Sequence, residues 1–186
     1  MTKNRVIILK IILFAMFLAL GWLLPFLTGQ IPQIGNMLLP MHIPVILGGF
    51  IFGPVFGLIL GIVTPLTRTL FFGMPVLYPT SISMSIELAT YGFFSGLFFM
   101  FFFKKTKTSF ILSVYISLIF AMILGRTTWG LSRFFMGLAS NSAFTFSAFM
   151  AGAFIYAYPG IILQLILIPS VMFILYRARI LDKYLS

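Results

Sequence analysis

The sequence predicts an all-α membrane protein, a bundle of six transmembrane helices in one integral domain over residues 1–186. Three observations predict it. Of 186 residues, 61% are hydrophobic and only 8% are charged, where a soluble domain carries about 25% charged residues. Apolar runs of membrane-spanning length recur along the whole chain. Most of the basic residues sit at the ends of those runs.

The elements follow in order at about 8–26, 40–52, 54–72, 80–103, 109–130 and 144–176. The first apolar run follows Lys3, Arg5 and Lys10, as in a signal peptide. It continues through Trp22 to Phe26 without a small-x-small cleavage site, so it is expected to be retained. The second is short, and Gly53-Pro54 breaks the chain before the third. The last is long. Either Pro159 and Pro169 kink it, or Pro159 divides an outer approach from the span proper.

With six helices, Lys3, Arg5, Lys10, Lys104, Lys105, Lys107, Arg177, Arg179 and Lys183 all fall on one side. The positive-inside rule then places both termini and the 104–108 turn in the cytoplasm. The net charge of +10 therefore fits topology and anionic lipid headgroups, and nucleic acid is not expected as a partner. The outer segments, beginning with "LTGQIPQIGNMLLP", are poor in charge. They either cover a pocket or rest in the lipid interface.

The chain has no cysteine, one histidine and two acids. Disulfides and thiolate metal sites are excluded, and no metal or cofactor is expected. No nucleophile–His–acid order, His-Glu-x-x-His or phosphate-binding loop is present, so no enzyme is expected. Four ionisable residues, His42, Arg68, Glu87 and Arg126, fall within or near apolar runs, all toward the outer face. Each isolated charge costs about 3 kcal/mol at mid-bilayer, so such residues face the bundle interior and pair. Glu87 is expected to neutralise one of the two arginines. The pair is either a structural brace or part of a ligand site, where the unmatched positive charge would accept a small anion. Trp129 lies one turn from Arg126 and Arg133, placed either to stack on a ligand or to anchor the interface. Asn36 and Gln164 add hydrogen-bonding groups. Gly53, Gly57 and Gly61, then Gly92 and Gly96, recur at four-residue spacing and mark close helix contacts, within the chain or with a partner. Ala15 and Ala19 repeat that spacing on the first helix.

The stretches "LPMHIPVILGGFIFGPVFGLILGIVTPLTRTLFFGMPVLYPT", "SIELATYGFFSGL", "GRTTWGLSRFFMG" and "AGAFIYAYPGIILQLILIP" resemble the substrate-binding S components of energy-coupling-factor (ECF) vitamin transporters. The resemblance covers nearly the whole chain and is greatest to the pantothenate branch. It implies a non-catalytic, multi-pass subunit of the bacterial plasma membrane that binds one vitamin from outside. It also implies partners, namely a transmembrane coupling subunit and two ATPase subunits whose ATP hydrolysis topples the S component. Ala15 and Ala19 map onto the alanine motif of its coupling interface, and the loop after helix 1 onto the cover of its pocket. Asn36, His42, Arg68, Glu87, Arg126, Trp129 and Gln164 are the residues expected to bind substrate. An S component for a different vitamin, or a stand-alone secondary carrier, is the alternative. The absence of titratable residues in the inner half weighs against the carrier.

Overall fold

A computed structural model describes residues 3–28, 34, 37–106, 108–140, 144–179 and 181. The described chain is a bundle of α-helices: α1 Lys3–Leu23, α2 His42–Phe52, α3 Pro54–Phe72, α4 Ile82–Phe99, α5 Phe110–Ala139, the short α6 Phe146–Met150 and α7 Tyr158–Arg177. Five helical stretches among the described residues are long and apolar enough to cross a membrane: Ile8–Leu27, Pro54–Phe72, Leu77–Lys105, Phe110–Ala139 and Tyr158–Arg177. The helix expected over 40–52 is present as α2. At 11 residues it rises about 16 Å, roughly half the hydrocarbon thickness. It lies inside the bundle, with every residue from His42 to Ile51 buried.

Gly53 causes the break after α2. Its φ of 96° and ψ of 175° end the helix in backbone space that glycine alone enters without strain. Pro54 then opens α3, where its missing N–H leaves no unmade helical bond. One expected boundary moves, since α5 continues to Ala139 instead of ending near 130. Of the two expectations for 144–176, the division at Pro159 is the one present. A π-turn over Ala151–Ile155 extends α6, and Pro159 sits in the first turn of α7. Pro169 lies inside α7.

Contacts fix the directions. Phe14 meets Phe56 and Trp22 bonds Thr67, so α1 and α3 run parallel. Gly57 faces Gly92 and Gly61 faces Leu88 and Ala89, so α3 and α4 are antiparallel. Phe98 meets Phe120, Glu87 meets Arg126, and Phe110 stacks on Tyr176; α5 therefore opposes both α4 and α7. The start of α1 and the end of α7 thus lie on one face of the bundle. The same alternation brings the start of α2, the first half of α4 and the second half of α5 together at the opposite face.

The main hydrophobic cluster runs down the centre through Ile46, Phe50, Tyr91, Phe99, Leu118 and Ile168. A smaller one joins Met41, Val45, Leu60 and Leu88. α1 lies outermost and exposes Ile8, Ile11, Ile12, Ala15, Met16 and Leu20. Ala19 is half-buried.

Candidate functional site

At the face opposite the chain ends, a cavity of about 220 Å³ is lined by Leu39, His42, Thr80, Ser83, Met84, Glu87, Arg126, Trp129, Arg133, Gly152 and Tyr156. α4 contributes Ser83, Met84 and Glu87, with Thr80 in the turn that precedes it. These residues are three or four apart, so they share one helical face. α5 contributes Arg126, Trp129 and Arg133 by the same spacing. The continuation of α5 beyond 130 is what gives Arg133 a place in this wall.

Glu87 is at the centre of the polar side. Its Oε1 accepts from Arg126 Nη1 at 2.9 Å and lies 3.4 Å from His42 Nε2. The side-chain exposures of His42, Glu87 and Arg126 are 1%, 3% and 6%, so the pair is screened from solvent. Arg126 Nε and Nη2 are buried and make no hydrogen bond among the described residues. Beneath this group Tyr91 sets its ring edge-on to His42, with centroids 5.1 Å apart. Gly125 admits that ring against α5, since a Cβ there would lie 2.5 Å from it.

The α5 wall continues into aromatic residues. Trp129 stacks with Phe149 and meets Phe144 edge-on, at 6.3 and 5.8 Å. The Arg133 guanidinium lies 5.8 Å over the Phe144 ring, within cation–π range. Gly152 gives Trp129 its room, because a Cβ would lie 2.7 Å from the indole. Two guanidinium groups face one carboxylate in the lining, so its arginines outnumber its acids by one.

Four of the residues expected to bind substrate therefore meet at the cavity: His42, Glu87, Arg126 and Trp129. Arg68 does not join them. Its Nη1 donates to Met74 O at 2.5 Å and its guanidinium lies over Phe26 and Phe72. With Thr69 Oγ1, which donates to Pro75 O at 2.6 Å, it fastens the turn after α3. Gln164 is fully buried on α7 outside the lining, its amide atoms without hydrogen bonds among the described residues. Asn36 lies outside the described residues, as does most of the 27–39 segment expected to cover the pocket. Leu39, from the end of that segment, does line the cavity.

A larger groove of about 510 Å³ between α3 and α4 is lined by residues such as Leu58, Ile62, Ile86 and Phe93 and contains no charged group. Its chemistry is that of a lipid-facing surface, so the smaller, charged cavity is the candidate site.

These features define a class, a helical membrane protein with a small, charged, ligand-sized cavity near one face. The family model for the ECF transporter substrate-specific component matches residues 9–176. The chain belongs to that family, whose members are membrane-embedded, non-catalytic substrate-binding subunits of ECF transporters. Neither curated proteins nor solved structures gave a match.

Proposed function

We propose that this chain is the high-affinity binding subunit of an ATP-driven ECF micronutrient importer in the bacterial plasma membrane. Its ligand is pantothenate or another small carboxylate vitamin, held in the cavity lined by His42, Glu87, Arg126 and Trp129. One observation carries the reading. Arg126 lines the cavity and bonds Glu87 through Nη1 alone, which leaves the Nε–Nη2 edge without a partner among the described residues. That edge matches the two oxygens of a carboxylate. The excess of one arginine over the acids of the lining fits a monoanion. The volume of about 220 Å³ lies below the ~300–1,000 Å³ of drug-sized sites, which favours a compact vitamin over one of flavin or folate size.

Binding to the purified protein in detergent, titrated with a panel of labelled water-soluble vitamins, tests this. Saturable binding of pantothenate or another small carboxylate vitamin is expected. Binding restricted to a cationic or neutral vitamin would reject the anion site and keep the family.

On this reading α1 meets the transmembrane coupling subunit, and two ATPase subunits complete the transporter, with both termini in the cytoplasm. The exposed Ala15 and half-buried Ala19 support it, since small residues let a partner helix approach closely. The double substitution Ala15→Trp, Ala19→Trp is expected to keep vitamin binding unchanged and to abolish uptake into cells. Normal uptake by that variant would take α1 out of the coupling interface.

A further inference from the structure

We infer that Leu39 sets which anion the cavity accepts, by presenting an aliphatic wall that the bound molecule must match. The inference rests on the cavity being the ligand site. Leu39 has a φ of 52°, in the left-handed region. An L side chain is crowded there and glycine is not. At Gly53 and Gly73, φ 96° and 70°, this chain places glycine, and at φ 56° it places Arg179, exposed in the turn after α7. At position 39 it places leucine.

The turn does not explain the leucine. Its carbonyl accepts from His42 N at 3.1 Å and so begins α2, a main-chain bond that glycine would make equally well. Leu39 is 8% exposed and so is one of the buried apolar residues, but among the described residues it joins neither of the two hydrophobic clusters. Its side chain lines the cavity. Strained residues that persist beside a site are kept for what their side chains do there.

The backbone that carries Leu39 is also seated firmly. Met37 O and Leu38 C and O lie against Gly160 in the first turn of α7, within 2.5–2.8 Å of where a Cβ would stand. The backbone just before Leu39 thus packs on α7, while the Leu39 carbonyl begins α2. Leu39 and Met84 are the aliphatic side chains of the lining, whereas His42, Glu87, Arg126 and Arg133 are its ionisable ones. A wholly hydrophilic acid would meet the second group and leave the first unused. The preferred occupant is a small carboxylate with a compact aliphatic part.

The test compares Leu39→Gly, Leu39→Asn and Arg126→Gln with the unaltered protein. Each is titrated with pantothenate, biotin, nicotinate and glycerate, and its melting temperature in detergent is recorded. Leu39→Gly relieves the backbone strain but removes a buried side chain, so its melting temperature is expected to fall. Its affinity for the tightest-bound vitamin should fall about tenfold to a hundredfold. Leu39→Asn, whose side chain tolerates the left-handed region, should shift the ranking toward glycerate. Unchanged affinities and ranking in both variants, whatever their melting temperatures, would make Leu39 a packing residue and overturn the inference. If Arg126→Gln abolishes binding in that case, the cavity remains the site. Full binding by Arg126→Gln, or no binding by the unaltered protein, overturns the cavity reading and this inference together.

Discussion

Arg126→Ala is expected to abolish anion binding and to destabilise the bundle by about 3–5 kcal/mol, the usual result of breaking a buried ion pair from one side. Glu87 is 2% exposed, and its Oε1 accepts the 2.9 Å bond from Arg126 Nη1. Without Arg126 the ion-pair partner that remains to that carboxylate among the described residues is His42, 3.4 Å away. The binding loss and the stability loss have different causes, and a second variant separates them. Glu87→Leu with Arg126→Met replaces the pair by apolar groups of similar size, a change that is often neutral or stabilising in a buried setting. It should regain most of the melting temperature lost in Arg126→Ala and should still not bind. Thermal unfolding in detergent and vitamin titration on the same samples read both quantities. If the apolar double variant binds as tightly as the parent, the pair is only a brace.

How much of this site was legible beforehand depended on what each signal measures. Glu87 stood out because an acid inside an apolar run demands a partner. Which arginine it meets was not legible, because Arg68 and Arg126 lie at similar depth and depth says nothing about the rotation of one helix against another. Packing decides it: α5 turns Arg126 inward, while Arg68 sits close enough to the end of α3 to reach the Met74 carbonyl instead. Five long apolar helices were legible from hydropathy, as was the break after α2 from Gly53-Pro54, but not that α2 is too short to cross a bilayer by length. The continuation of α5 to Ala139 was not, because its last turns, "SRFFMGLA", mix apolar and polar residues without a stop signal. Thr80, Ser83 and Met84 share the α4 face of Glu87 and were within reach of a helical-wheel argument. Leu39 had no signal at all. Its left-handed backbone is not marked by a glycine or asparagine at that position, and the α7 contact of Met37 and Leu38 before it is a tertiary feature.

The glycine spacing on α3 and α4 is visible in the sequence, whereas the part of Gly49 of α2 in the same contact is not, and a large structural effect follows from this contact. A Cβ on Gly92 would collide with the carbonyl oxygen of Gly57, and would stand 2.5 and 2.8 Å from its carbonyl carbon and Cα. A Cβ on Gly57 or on Gly49 would meet the Gly92 carbonyl oxygen in turn. Every atom in these clashes with Gly57 is backbone, so no flexible side chain can move aside. In a bilayer, close packing of this kind is a main source of helix association, because lipid tails are as apolar as leucine. Gly92→Ala is therefore expected to push α4 away from α2 and α3 and to destabilise by about 3 kcal/mol, the upper end for overpacking. The same displacement would carry Glu87, also on α4, away from His42, so affinity should fall together with stability. Gly73→Ala is the control. Among the described residues nothing lies within 4 Å of where its Cβ would stand, but its φ of 70° disfavours alanine, which predicts a loss of only about 1–2 kcal/mol with binding intact. Unfolding in mixed micelles, followed by titration of the folded fraction, ranks the two. A Gly92→Ala variant as stable as Gly73→Ala would mean that α3 and α4 are not held at backbone contact, and the position of Glu87 would need another explanation.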